Sequence, residues 1–163
     1  MAEKLKKIAV LTSGGDAPGM NAAVRAVVRS AVYNNIDCYG VYKGYEGLIS
    51  DDLVKLNARG VNNIVNKGGT ILKSARCLEF RTKEGRLEAK NTLDKYNIDS
   101  LVVIGGNGSL TGALLLEEEH GIKTIGIPGT IDNDLVGTRC TLGFDTALNT
   151  AVNAIDKIRD TAS

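Results

Sequence analysis

Short runs of β-branched and aliphatic residues alternate along this chain with longer segments of helical character, and glycine-containing turns join them. Strand-like runs occur at Lys7–Thr12, Asp37–Tyr42, Ser100–Ile104 and Lys123–Ile127. Parallel strands need crossover connections, which helices on the faces of the sheet provide. The alternation therefore predicts an α/β fold, a Rossmann-like three-layer sandwich with a mainly parallel sheet.

The segments between the strands carry apolar residues at helical spacing. Helices are predicted at Asn21–Tyr33, Val61–Asn66, Thr82–Tyr96, Ser109–His120 and Asp145–Thr161. Asn21 belongs to a residue type that often caps a helix N-terminus, so it is the predicted N-cap of the first helix.

Composition narrows the class of protein. The 163 residues are 43% apolar and carry a net charge of +1, which indicates a globular domain and argues against a nucleic-acid-binding protein. No apolar run approaches the roughly 20 residues of a membrane helix, so no membrane span is expected. Cys38, Cys77 and Cys140 follow no metal-ligand spacing and indicate reduced thiols in a cytoplasmic protein.

Three loops that follow predicted strands have unusual chemistry. Gly14 and Gly15 in LTSGGDAPGMN can turn backbone N–H groups outward and leave space for a phosphate. Gly105–Ser109 (GGNGS) precedes a helix N-terminus, whose partial positive charge favours anions. Pro128–Asp134 (PGTIDND) adds two carboxylates and a threonine hydroxyl. Because parallel strands end at a common edge, we expect one shared site.

Each loop also has an ordinary structural explanation. Glycine pairs form tight turns, and Asp132 and Asp134 are common turn or cap residues. The coincidence of all three loops favours a phosphate site beside carboxylates. Neither GxGxxG nor GxxxxGK[ST] occurs, so the usual dinucleotide and P-loop motifs are absent from the sequence.

The chain resembles the ATP-dependent 6-phosphofructokinase family in five segments, which occur in the family's order: LTSGGDAPGMNAAVR, GGTILKSARCLEF, VVIGGNGS, GIPGTIDND and GFDTALNTAVNAIDKIRDTAS. PGTIDND is the most specific of them, whereas GGNGS alone also resembles a loop of NAD and diacylglycerol kinases. The resemblance implies the nucleotide-binding half of the phosphofructokinase fold. Residues 1–143 would form the ATP-binding domain, and residues 144–163 would be the truncated start of a substrate domain.

The resemblance also implies the residues that bind ATP. They are Gly15, Arg76, Cys77, Gly106, Asn107, Gly108 and Ser109. Gly15 would donate its N–H near the transferred γ-phosphate, and Arg76 would offset the charge that develops on the phosphoryl group. Gly108 would leave room for a nucleotide, which favours ATP over pyrophosphate as the donor.

On the substrate side, the resemblance implies that Asp132 is the general base for the 1-hydroxyl of fructose 6-phosphate. Thr130 would orient the sugar, and Asp134 would assist at the substrate and at Mg²⁺. The transition state of phosphoryl transfer is loose, so positioning provides much of the catalysis. The expected product is fructose 1,6-bisphosphate. The isolated chain is expected to be inactive, because further substrate-binding residues would follow Ser163.

Regulation is a further implication of the resemblance. Arg25 and Arg29 lie four residues apart in a predicted helix and could clamp a phosphate together. With Arg159 they resemble the family's allosteric effector site, although a solvated helix face also explains the pair. A third arginine of that site is absent at Ala58. The full-length form would be a homotetramer.

Asn107 departs from the family pattern, which has an aspartate at this position to hold Mg²⁺. Two unit charges at ~4 Å interact by ~4 kcal/mol at an effective dielectric constant near 20. Asparagine keeps one carbonyl ligand and loses that charge. Two hypotheses therefore stay open: an enzyme with lowered turnover, or a non-catalytic nucleotide-binding or regulatory relative.

Overall fold

The computed structural model describes residues 5–162, so the two outer limits of the predicted domains lie outside the described residues. Within this range the strands are β1 (Lys7–Ser13), β2 (Asp37–Val41), β3 (Leu53–Leu56), β4 (Ser100–Gly105), β5 (Lys123–Thr130) and β6 (Leu142–Gly143). The helices are α1 (Met20–Tyr33), α2 (Tyr45–Ile49), α3 (Lys83–Lys95), α4 (Asn107–His120) and α5 (Phe144–Thr161).

The strands form one sheet in the order β3-β2-β1-β4-β5-β6. All neighbouring pairs are parallel except β2 and β3, which are antiparallel. The chain moves outward from β1 to β2 and β3, and then returns past β1 to β4 and β5. This reversal between β1 and β4 is the position at which open α/β sheets bind ligands.

The core has two layers of apolar side chains, one on each face of the sheet. Leu11 and Val103 contribute to the first layer, together with residues of α3 and α4. Val10 and Ile104 contribute to the second layer, together with residues of α1. Side chains on a strand alternate between the two faces, so helices are needed on both. The predicted three-layer α/β sandwich with a mainly parallel sheet is confirmed.

Asn21 is not the N-cap of α1, contrary to the prediction. The cap position is Gly19, and Asn21 is buried in the first turn of the helix. Its Nδ2 donates to Lys67 O at 3.0 Å, and its Oδ1 accepts the N–H of Ile71 at 2.7 Å. The amide therefore anchors a loop that is distant in sequence, which a local pattern does not reveal.

The predicted helix at Val61–Asn66 is also wrong. This segment forms turns, and Val61 and Ile64 are buried in the second core layer as separate anchors. The sequence patterns likewise do not predict β3 or β6. Both strands are short, and each forms only because a neighbouring strand offers backbone partners.

Helix α5 differs from the other helices because none of its residues is buried. Leu148, Val152, Ile155 and Ile158 recur at helical spacing and are between 48% and 69% exposed. An apolar stripe of this kind normally packs against another element. Among residues 5–162, no helix is long and apolar enough to cross a membrane.

A paired charge joins α3 to α4. Arg86 is 5% exposed, and its Nε and Nη2 donate to the two carboxylate oxygens of Glu119 at 2.6 and 2.8 Å. Its Nη1 donates to the carbonyl oxygens of Phe80 and Arg81 at 3.1 and 2.8 Å. Bidentate pairing is the form in which a buried guanidinium is tolerated. The hydrogen bonds from Arg86 lower the pKa of Glu119.

We expect Glu119→Gln to lower the melting temperature by about 3 °C at pH 7, because the amide keeps the shape and loses the charge. A carboxylate with a lowered folded-state pKa stabilises the fold above its ordinary pKa, and this contribution is lost as the pH falls through the folded value. The difference from the parent should therefore shrink in acid. Thermal unfolding at several pH values measures this difference in melting temperature. Glu118→Gln, at an exposed neighbour, is the control, and an equal shift there would contradict the prediction.

Candidate active site

The three loops singled out in the sequence leave the sheet side by side. Ser13 at the end of β1 is in register with Gly105 at the end of β4. Gly105 is in turn in register with Pro128 in β5. The loops that follow these positions therefore start at one edge of the sheet, beside the reversal in strand order.

The first two loops are in direct contact. Gly14 has a φ of 88°, and a Cβ there would lie 3.5 Å from Ser109 Oγ. At Gly105 a Cβ would lie 2.6 Å from Ser13 O and 2.8 Å from Ser109 Cβ, so only glycine allows this approach. Gly15 instead faces open space, with no atom within 4 Å of a Cβ placed there. The loops are thus packed together at their bases and leave space beside Gly15.

The N-terminus of α4 is available to an anion. The helix starts at Asn107 after Gly106, and no side chain caps it. The N–H groups of Ser109 and Leu110 bond to Gly106 O at 3.1 Å, so the N–H groups of Asn107 and Gly108 precede the first closed turn. Free N–H groups and the helix dipole together favour phosphate at this position.

The acidic loop lies against this helix start. A Cβ at Gly106 would lie 3.6 Å from Thr130 Cβ. The N–H of Asp132 donates to Thr130 Oγ1 at 3.2 Å. Thr141 holds the loop from the other side, since its Oγ1 donates to Thr130 O at 2.7 Å and its N–H to Asn133 Oδ1 at 2.8 Å. Asp132 is therefore positioned next to the candidate phosphate loop, with its side chain exposed.

The two predicted metal-binding residues line one groove. This groove has a volume of about 330 Å³ and is lined by Asn107, Leu110, Thr111, Leu114, Asp134, Leu135 and Val136. Mg²⁺ often takes one or two protein oxygens and completes its shell with phosphates and water. An amide and a carboxylate oxygen fit that requirement. Within residues 5–162, no group of three His, Cys, Asp or Glu side chains is arranged to hold a metal.

Arg76 and Cys77 lie on a segment that crosses the same edge. Thr12 Oγ1 in β1 donates to Lys73 O at 2.8 Å and lies 3.0 Å from Thr70 Oγ1. Three residues after Lys73, the Arg76 side chain is exposed, and Cys77 packs partly into the first core layer. The structure thus attaches this segment to the end of β1, beside the glycine turn.

The three predicted effector arginines lie on two different helices. Arg25 and Arg29 are both in α1, as the sequence predicts, whereas Arg159 is near the end of α5. Arg25 Nη1 donates to Val61 O at 2.8 Å and to Asn62 Oδ1 at 3.4 Å. Arg29 and Arg159 are exposed. Their role in binding an effector stays a prediction.

Three residues that shape the site were not identified from the sequence. Thr12 is fully buried at the end of an aliphatic strand. A buried hydroxyl requires a hydrogen-bond partner, so a threonine at this position could have indicated a contact with another segment. Asn133 and Thr141, which form a hydrogen bond, are eight positions apart in the sequence. No spacing rule identifies that pair.

Comparison with known proteins identifies the family of this chain. The family model described as Phosphofructokinase matches residues 7–163. The ATP-dependent 6-phosphofructokinase of Macrococcus caseolyticus is 64% identical over 159 residues, which are 98% of this chain and 50% of that protein. The corresponding protein of Halalkalibacterium halodurans is 59% identical over the same coverage. The structure of phosphofructokinase from Saccharomyces cerevisiae superposes with a TM-score of 0.92 at 43% identity, covering 96% of this chain and 24% of that chain. The chain spans about half the length of the curated relatives it matches.

Proposed function

Because the chain belongs to the phosphofructokinase family, we propose that it is the ATP-binding half of an ATP-dependent 6-phosphofructokinase. The reaction transfers the γ-phosphate of ATP to the 1-hydroxyl of fructose 6-phosphate. The observation that carries this proposal is the proximity of Thr130 to Gly106, where an added Cβ would lie 3.6 Å from Thr130 Cβ. The start of α4 thus lies beside the loop of Asp132, whose N–H donates to Thr130 Oγ1. A phosphate tail along the glycine turns ends beside a carboxylate that accepts a proton.

In this proposal the backbone binds most of the triphosphate. The N–H of Gly15 faces the γ-phosphate, and the start of α4, from Gly106 to Ser109, binds the remaining phosphates. Arg76, with Cys77 beside it, reaches the nucleotide from the segment attached to β1. The Arg76 guanidinium offsets the charge on the transferred group, which is the main electrostatic task in this chemistry.

The acidic loop supplies the acceptor side. Asp132 takes the proton from the sugar hydroxyl, and Thr130 orients the sugar. Asn107 and Asp134, which line one groove, would hold Mg²⁺ together with phosphate oxygens. When bound, this ion neutralises charge between the β- and γ-phosphates.

The proposal extends to the organisation of the whole enzyme. Residues up to 143 form the ATP-binding domain, and α5, which has no buried residue, begins the substrate domain. The isolated chain then binds nucleotide and turns over fructose 6-phosphate poorly. The complete enzyme is a cytoplasmic homotetramer, with Arg25, Arg29 and Arg159 at an effector site.

A second candidate function rests on Asn107. With no carboxylate at this position, the chain binds nucleotide without catalysis and acts as a regulatory relative. Both functions require ATP binding and differ in turnover. Restoring aspartate at position 107 separates them.

Gly15→Ala tests the proposed position of the phosphate. A Cβ fits at this position in the free chain but occupies the space that the γ-phosphate needs. We expect about tenfold weaker ATP binding by calorimetric titration, as for one misplaced methyl group in a fitted site, with an unchanged melting temperature.

Gly60→Ala is the matched control, because a Cβ there makes only ordinary contacts, with Asn57. Unchanged ATP affinity in Gly15→Ala would show that the phosphate does not approach this turn. Failure of the parent chain to bind ATP would remove the proposed function.

A further inference from the structure

Tyr45 is a buried residue that connects directly to the candidate phosphate loop. It is the first residue of α2 and is 5% exposed. Its hydroxyl donates to Ser109 O at 2.6 Å, across 64 residues of sequence. Ser109 lies in the first turn of α4, next to the N–H groups that face the site. A single side-chain bond thus links α2 to this turn.

The ring of Tyr45 has a second connection. It stacks on Phe80 with ring centroids 3.7 Å apart and an angle of 12° between the planes. Phe80 is 4% exposed and follows Arg76 by four residues. The stack therefore anchors the end of the segment that carries Arg76, whose beginning is held by Thr12.

Gly112 of helix α4 lies beside this aromatic pair. A Cβ at Gly112 would lie 3.0 Å from Phe80 Cε1 and 3.3 Å from both Tyr45 Cε2 and Tyr45 Oη. Both rings therefore lie directly beside α4 at Gly112. Burial also raises the pKa of Tyr45, so the phenol remains protonated and able to donate.

We propose that Tyr45 is a positioning residue for phosphate binding, which sets the first turn of α4 through its hydroxyl and the Arg76 segment through its ring. This inference rests on the proposed function. A phenol that only filled the core would contribute to stability and would not affect the affinity for phosphate. Tyr45 contacts the first turn of α4 through its bond to Ser109 O. It contacts the segment that carries Arg76 through its stack on Phe80. One side chain thus packs against both groups that would bind the phosphates.

Tyr45→Phe removes the hydroxyl and keeps the stacked ring. Titration calorimetry of the 163-residue chain with ATP, and separately with inorganic tripolyphosphate, should show about threefold to tenfold weaker binding of both, the usual effect of losing one hydrogen bond. Tripolyphosphate lacks the adenine and ribose of ATP. Weaker binding of tripolyphosphate would therefore locate the effect at the phosphate-binding groups. Tyr39→Phe is the control, because it also removes a phenol hydroxyl and its ring packs on Tyr96.

Gly112→Ala disturbs the same pair from the opposite side. Alanine has a higher helix propensity than glycine, so this variant should stay folded while its Cβ displaces the aromatic rings. We expect weaker tripolyphosphate binding in this variant too. If Tyr45→Phe does not fold, Gly112→Ala alone tests the positioning role of Tyr45.

Parent-like tripolyphosphate affinity in both variants would overturn the positioning role and leave the proposed function intact. An equal loss in Tyr39→Phe would also overturn it, since the effect would then be general to the core. A parent chain that binds neither ATP nor tripolyphosphate would overturn the proposed function, and this inference with it.

Discussion

Asp132→Asn should lower the turnover of fructose 6-phosphate by about 10²- to 10⁴-fold, the usual contribution of a positioned general base. Asparagine keeps the size of the side chain and the backbone bond from residue 132 to Thr130 Oγ1. It cannot accept the proton of the sugar hydroxyl. ATP affinity should stay close to that of the parent, because the proposed phosphate contacts lie on the glycine turns and α4.

The measurement is a coupled assay of ADP release, with this chain joined to the second half of a bacterial relative. Asp52→Asn provides a matched loss of charge at an exposed residue just before β3. Turnover within threefold of the parent in Asp132→Asn would mean that another group is the base. A parallel loss of ATP affinity would instead indicate a collapsed loop.

Asn107→Asp should raise turnover by about tenfold to a hundredfold, which is a lowering of the barrier by roughly 1.4 to 2.8 kcal/mol. The new carboxylate would face the groove that it shares with Asp134 and would attract Mg²⁺ with a full charge. This lowering of the barrier is smaller than the ~4 kcal/mol between two unit charges at ~4 Å. The reason is that residue 107 is exposed and that Mg²⁺ is hydrated.

Titration with Mg²⁺ tests whether the added carboxylate acts through the metal. With the metal present, the variant should reach half-maximal rate at a lower Mg²⁺ concentration than the parent. Without it, the added negative charge should weaken ATP binding by repulsion. Asn107→Ala, which removes the carbonyl ligand, should show no gain. If Asn107→Asp binds ATP normally and stays inactive, the regulatory function is the better description of this chain.

Much of the architecture could be predicted from local pattern. Aliphatic runs marked β1, β4 and β5, and apolar residues at helical spacing marked α1, α3, α4 and α5. The sequence pattern does not predict strand β3, because this strand is only four residues long and is stabilised by antiparallel pairing with β2. Asn21 was misassigned because its side-chain partners lie 46 and 50 residues away.

The candidate site was predictable only as a set of loops. Glycine at positions 14, 15, 105 and 106, and carboxylates at 132 and 134, indicated phosphate and proton chemistry from residue type alone. The bonds of Thr141 to the acidic loop and of Tyr45 to Ser109 had no such signal. A hydroxyl bonds equally well to many carbonyl groups, and only the packed fold selects one.

The amino-acid sequence by itself determined the α/β class and the chemistry of each loop, because strand and helix periodicity and glycine geometry are properties of neighbouring residues. The tertiary structure alone decided that Gly106 lies close to Thr130 and that Gly14 lies close to Ser109. This proximity depends on the register of β1, β4 and β5. Register arises from packing the two core layers together, so it is a property of the whole sheet and of no single segment.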